Sequence, residues 1–265
     1  MNRSKMNFRL FLTMVLLWSG TVAAYAYSGI VSAKPYEDGF VMASESGIIY
    51  WTDIRGNVTD SVKAGYPIAG IDVRDGKILA VSPESEVFEV DRGGKVRRFC
   101  GKQTSGGSRA VGIACLKETA FILFDNGVIL STEDNCKNFT LLDFNGIYQL
   151  YYFYNTFTDI CASDYSIFIA GTDENNTPTV FTSASGKIWS PRSLSYKEGR
   201  ESLVLKQKPL SLAYDERKDS FVMGCEDGYI FHMPGCTHCN SADVKEDGDI
   251  RAIAYNNGIP LYIQR

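Results

Sequence analysis

Apolar and polar positions along this chain alternate in a repeated unit. A small residue and an aliphatic are followed by a short polar turn and then an apolar run. The copies are GIVSAKPYEDGFVMA from Gly29, GIDVRDGKILAVS from Gly70, GIACLKETAFILF from Gly112, DICASDYSIFIAG from Asp159, SLAYDERKDSFVMG from Ser211 and AIAYNNGIPLYIQ from Ala252. Their starts lie 41, 42, 47, 52 and 41 residues apart. Two short β-rich runs around Gly, Asn, Asp or Ser predict an antiparallel hairpin.

A second unit follows the first five copies: GIIYWTDIRGNV, SEVFEVDRGGKV, GVILSTEDNCKNF, PTVFTSASGKIW and GYIFHMPGCTHC. Aligned, it places Asp53, Asp91, Asp134, Ala184 and Pro234 in one column and Arg55, Gly93, Cys136, Gly186 and Cys236 two places on. Two hairpins per 40 to 50 residues is the period of a four-stranded propeller blade. The predicted fold is therefore all-β, a single β-propeller of four-stranded antiparallel blades over residues 27–265. Six first units and five second units give 22 strands, so six blades with one incomplete are expected, with five as the alternative.

The amino terminus follows another pattern. Arg3, Lys5 and Arg9 precede the apolar run LFLTMVLLW, and Ala24-Tyr25-Ala26 forms an A-x-A cleavage site, so residues 1–26 read as a secretory signal peptide. An extracytoplasmic, secreted location and no membrane span after cleavage follow as expectations. The whole chain carries 27 basic and 31 acidic residues; without the three basic residues of the signal it has 24 against 31, about −7. That sign disfavours nucleic acid as a partner. The sequence does not address oligomeric state.

The register Ser/Thr-x-Asp-x-Gly-x-x-aromatic, kept in part by TEDNCKNF and TSASGKIW, resembles the Asp-box of BNR repeats, found in sialidases, sortilin-type receptors and photosystem II assembly-factor propellers. The single Tyr50-Trp51-Thr52-Asp53 also resembles the strand motif of low-density-lipoprotein-receptor propellers. Both resemblances imply a propeller. The sialidase likeness would imply catalysis, but the Arg-Ile-Pro stretch of those enzymes is missing, and Arg74, Arg109, Arg200 and Arg251 lack its context. Phosphate-loop, nucleophile-elbow and His-Glu-x-x-His motifs are also missing, so no catalytic residue and no cofactor are assigned. The assembly-factor likeness implies a chaperone-like alternative, and a divergent glycosidase-type enzyme ranks third.

The stretch FHMPGCTHCNSAD holds both histidines, His232 and His238, with Cys236 and Cys239. A disulfide, a metal site, a redox pair and free thiols all fit its spacing. A Cys236–Cys239 disulfide or another pairing is favoured in an oxidising compartment, and no metal is assigned because no second Cys pair completes a zinc set. Seven cysteines leave an odd one over within a monomer.

Candidate binding residues come from the loops. Turns between second and third strands carry Glu45, Glu84, Asp125, Asp173 with Glu174, and Glu226 with Asp227, which would ring one mouth of a closed propeller. The joining segments RRFCGKQTSGGSRA and SPRSLSYKEGRESLVLKQKPLS are long and basic. Tyr151 and Tyr152 lie in IYQLYYFYNTF, where tyrosine rings suit protein or glycan recognition although strand burial accounts for half of them. Sequons at Asn57, Asn138 and Asn175 permit glycans without predicting them. The resulting expectation is a non-catalytic module that binds a protein or glycan through one propeller face.

Overall fold

The computed structural model describes residues 29–100, 107–134, 136–148, 150–235, 239–244 and 248–264. The expected signal segment lies outside them. Blade 1 comprises β1 (Ile30–Tyr36), β2 (Gly39–Ser44), β3 (Ile48–Thr52) and β4 (Val58–Lys63). Blade 2 comprises β5 (Gly70–Arg74), β6 (Lys77–Val81), β7 (Val87–Val90) and β8 (Val96–Cys100). Blade 3 is built from β9 (Ala110–Leu116), β10 (Thr119–Phe124), β11 (Val128–Thr132) and β12 (Thr140–Asp143), with the helix α1 (Phe144–Tyr148) appended. Blade 4 has β13 (Asn155–Ala162), β14 (Ile167–Asp173), β15 (Pro178–Ser183) and the two-residue β16 (Ser190–Pro191).

A separate hairpin, β17 (Ser195–Glu198) with β18 (Glu201–Val204), precedes blade 5, whose strands are β19 (Pro209–Asp215), β20 (Ser220–Cys225), β21 (Tyr229–Pro234) and β22 (Ser241–Val244). The chain closes with β23 (Ile250–Asn256) and β24 (Ile259–Gln264), a two-stranded sheet. Each four-stranded sheet is an antiparallel meander in sequence order. Among the described residues there are thus five four-stranded blades, the five-blade alternative of the sequence reading, with the two-stranded sheet β23–β24 beside them.

Strand β23 packs between β19 and β1, which closes the ring. The inner strands are joined by specific hydrogen bonds. Ile71 N–H donates to Ser32 Oγ at 3.3 Å, Cys115 N–H to Asp72 Oδ2 at 2.6 Å, and Leu212 N–H to Asp159 Oδ2 at 2.6 Å. Phe157 N–H donates to the Asp125 carbonyl at 2.9 Å, and Ser211 Oγ to the Ile250 carbonyl at 3.0 Å. At the seam, Asn256 Nδ2 donates to the carbonyls of Glu37 and Gly39 at 2.9 and 2.6 Å. Apart from the backbone bond between Phe157 and Asp125, these bonds use polar side chains of largely apolar inner strands, where an unpaired buried group would be costly.

Burial follows the radial position of each strand. The second strands β2 and β20 are buried along their whole length, whereas the fourth strands β4 and β12 are mostly exposed. The aspartate column forms turns, as the spacing suggested: Asp53, Asp91 and Asp134 each accept the backbone N–H four residues on, at 2.9, 2.8 and 2.9 Å. Asn57 and Asn138 also donate Nδ2 to Asp53 and Asp134, so two of the sequon side chains already serve the turn. Blade 4 has Ala184 in this column; there Ser183 Oγ accepts from Gly186 N–H at 2.8 Å instead. Gly186 has φ +73° and packs on the Phe121 ring, which leaves no space for a Cβ.

Candidate binding groove at the rim of blade 4

The segment carrying Tyr151 and Tyr152 is a helical turn rather than a strand. Asp143 Oδ1 accepts the Gly146 N–H at 2.9 Å and starts α1, and the Tyr148 carbonyl accepts N–H bonds from Tyr151 and Tyr152. Asn145, almost fully buried, holds the turn in place. Its Nδ2 donates to the carbonyls of Asn126 and Asn155, and its Oδ1 accepts the Asn155 N–H.

This anchoring divides the aromatic cluster. Phe144 and Phe157 are buried against Phe181, and Tyr148 and Tyr152 are half-buried, with Tyr152 meeting Phe181 at 5.3 Å between ring centroids. Leu150 and Tyr151, at 87% and 78% exposure, face out together with Phe153 and Tyr154. About half the rings are therefore structural, as strand burial would also have had it, but the periodicity is that of a tight helical turn.

The exposed half borders a groove of about 520 Å³. Its opposite wall consists of Pro178, Val180, Pro191, Leu194 and Val204. The opening exists because the outer strand of blade 4 ends early. β16 pairs with β15 only at Phe181–Pro191 and Thr182–Ser190, whereas β12 pairs with β11 at four positions. The last bond of this ladder is Arg192 N–H to the Val180 carbonyl at 2.8 Å. The chain then leaves the sheet for β17 and β18, which turn through Gly199 at φ +59°. The long basic joining segment expected here is thus an ordered hairpin, fastened at its base by buried Leu194 and Leu205. Two charged residues line the groove: Asp173, whose carboxylate caps its own turn through Asn175 and Thr177 N–H, and Arg192, whose guanidinium donates to the Pro234 carbonyl and lies 5.8 Å over the Phe168 ring.

The acids expected to form one ring do not all line the same opening. Glu45 and Asp125 line a channel mouth of about 590 Å³ together with Arg109 and Arg251, which makes that mouth mixed in sign. Asp173 belongs to the aromatic groove, and Glu84, Glu226 and Asp227 line neither opening. Arg109 belongs to the basic joining segment RRFCGKQTSGGSRA expected beside the acids, whereas Arg251, within β23, was not singled out for this mouth.

At the other end of the channel lies a cavity of about 550 Å³ that contains Lys34, Asp72, Cys115 and Cys161. Lys34 is 8% exposed, and burial opposes its charge. Cys161, Asp72 and Asp159 outweigh that and raise its pKa above the ordinary lysine value. Burial pushes the Cys161 thiol up to about 11, so at neutral pH the two carboxylates supply the attraction. Burial also raises both carboxyls, Asp159 to about 6, against the opposing pull of Lys34. Sequence reading missed this cluster, because its members stand at different places of the repeat: Asp159 opens its unit, Asp72 is third and Lys34 sixth in theirs.

In the stretch from Phe231 to Asp243, His232 Nε2 hydrogen-bonds Asp243 Oδ2 at 3.2 Å, and burial lowers the His232 pKa. Cys236 and His238 lie outside the described residues, and with them the Cys236–Cys239 pairing. Among the described residues no cluster of three metal-ligating side chains occurs, and no helix is long and apolar enough to cross a membrane.

Comparison with known proteins places the fold. No protein-family model matches the chain, and no curated protein matches it. A structural-genomics protein of unknown function from Bacteroides thetaiotaomicron superposes with TM-score 0.67 at 12% identity, covering 90% of this chain and 67% of its own. YCF48 from Cyanidioschyzon merolae superposes with TM-score 0.55 at 11% identity, covering 86% and 76%. The β-propeller domain of Cps50 (Swd1) from Myceliophteria thermophila gives 0.56 at 8% identity, covering 86% and 77%. At these identities the likeness is one of fold: the chain is a β-propeller.

Proposed function

We propose that this chain is a non-catalytic binding module of the Asp-box propeller type, exported by its amino-terminal signal. Its ligand is an extended, apolar protein segment held in the groove at the rim of blade 4. One observation carries this reading: the shortened outer strand leaves an apolar groove beside a half-open sheet edge, flanked by Leu150, Tyr151 and Phe153 on an anchored turn. Exposed aliphatic and aromatic side chains in contiguity are unusual on a monomer without a partner. Tyrosine on a fixed turn is ordered already, so binding costs little conformational entropy. A half-paired edge suits strand addition, in which main-chain bonds supply affinity and side-chain pockets supply selectivity.

A peptide array of extended apolar sequences tests the proposal, with the exported protein recovered beginning at Tyr27. The expected result is micromolar binding that weakens about tenfold or more in Leu150→Ser and Tyr151→Ser, with Arg109→Ala unchanged. Binding indifferent to both groove substitutions would refute it. Capture of a glycan array, lost in Tyr151→Ser, would instead assign the same groove to sugar.

A further inference from the structure

Of the cysteines in this chain, Cys161 and Cys225 are buried and Cys115 is half-buried, and burial opposes the ionisation of all three. Cys100 and Cys136 differ. Cys100 is the last residue of β8, opposite Val87 in blade 2. Cys136 lies in the turn between β11 and β12 of blade 3, at φ +64°, with its N–H bonded to Thr132 Oγ1 at 3.1 Å. Both pack into one apolar cluster between the blades, with Leu79, Val87, Leu130 and Phe139. Cys136 belongs to this cluster, Cys100 packs against it, and each thiol shifts the ionisation of the other.

The pair is asymmetric. Cys100 is half-exposed, and the Cys136 S–H pulls its pKa down to about 7 against burial, with the Val87 backbone assisting. Cys136 is 9% exposed and pushed far up, chiefly by Cys100. A reachable thiolate beside a buried, protonated partner is the arrangement of an attacking and a resolving cysteine.

We propose that Cys100 and Cys136 form a reversible disulfide joining blades 2 and 3, made by exchange with a small-molecule disulfide of the glutathione type. In the first step the Cys100 thiolate attacks one sulfur of the oxidant; a mixed disulfide forms and a glutathione thiolate leaves. In the second, Cys136 attacks the Cys100 sulfur, and its proton goes to the second departing glutathione. The protein gives up two electrons and two protons, counting the one Cys100 loses on ionising, and the oxidant becomes two reduced glutathiones. The link ties the outer edge of blade 2 to a turn of blade 3, where no strand pairing joins them.

The full chain equilibrated with oxidised glutathione, alkylated and peptide-mapped tests this. The expected product is a Cys100–Cys136 cross-linked peptide and an intact mass lower by about 2 Da. Cys100→Ser abolishes it, and Cys136→Ser stops at a Cys100–glutathione adduct. In reduced protein, alkylation of Cys100 rises through about pH 7, and Cys136→Ser moves that midpoint toward the ordinary thiol range. Full alkylation of both residues after oxidant treatment of the folded protein would overturn the proposal. So would a map joining either of them to Cys239 instead.

Discussion

Two hairpins in this molecule stand apart from the four-stranded blades, and they have opposite fates. β23 and β24 fill the gap between blades 5 and 1, and Ile250, Ala252, Ile253 and Ala254 of β23 are at most 1% exposed. β17 and β18 have the same strand count, yet no residue of either is fully buried, and Val204 is 56% exposed. Each is fastened by one buried asparagine: Asn256 Nδ2 reaches the carbonyls of Glu37 and Gly39, and Asn240 Nδ2 reaches those of Ser193 and Ser195. A hairpin is structural or available according to where its apolar face lies, since a two-stranded sheet has little stability of its own. The inner one completes a ring, and the outer one shapes the edge of a groove.

The largest expected effect separates the two directly. Ile253→Asp puts a charge into the closed ring and should cost more than about 4 kcal/mol in chemical denaturation, enough to leave the chain unfolded or aggregated. Val204→Asp, on the exposed hairpin, should change stability by less than about 0.5 kcal/mol. Similar losses from both would mean the outer hairpin is part of the cooperative fold.

A second contrast comes from pH. Burial raises the folded-state pKa of Asp159 to about 6 from an ordinary 3.8, despite Lys34 and the N–H bonds from Leu212 and Ile160. A raised carboxyl binds more protons folded than unfolded, so its stabilising effect is complete below about pH 4 and is lost as pH climbs to about 6. Asp72, raised in the same direction, adds to that slope. Thermal midpoints should accordingly fall from pH 4 to pH 6, and Asp159→Asn should flatten the decline even if its absolute stability drops. An unchanged slope in that variant would show that the ring centre does not control acid stability. Asp134, which backbone and side-chain bonds from Asn138 pull down to about 2, titrates below this window.

The inner ring was legible in the sequence because its strands repeat one apolar template and its turns repeat one aspartate. Gly29, Gly70 and Gly112 mark the starts of three successive units, and Asp53, Asp91 and Asp134 recur in register. The outer rim was less so. IYQLYYFYNTF has aromatic residues on both faces of any period, and only the Asn145 anchor decides that Tyr152 turns in while Tyr151 turns out. The early end of the fourth strand of blade 4, after the Arg192 bond to Val180, had no sequence signal, and the hairpin after it has too few apolar residues to look like strands. At the channel mouth Glu45, Asp125 and Arg109 come from loops that the repeat had marked, and Arg251 alone comes from within a strand, β23.

The finest comparison is between the two asparagines. Asn256→Ala removes two hydrogen bonds that span the closure of the ring, to carbonyls 219 and 217 residues away, and one of these bonds is fully buried. The bond to Gly39 is shielded from water, so the loss should approach about 2 kcal/mol, with hydrogen exchange accelerating in β1 and β23 together. Asn240→Ala also removes two bonds, but its acceptors, Ser193 and Ser195, sit at the exposed base of the outer hairpin, where water can replace a lost donor. Its cost should be nearer about 1 kcal/mol, with faster exchange confined to β17 and β18. Both residues lose two Nδ2 donations to carbonyls, and once the further bond from Asn257 Nδ2 to Asn256 Oδ1 is set apart with Asn257→Ala, the difference between them measures what ring closure adds to a hydrogen bond. Equal costs with equally local exchange would mean that the sixth sheet is as loosely held as the outer hairpin, and that the five complete blades hold the ring without it.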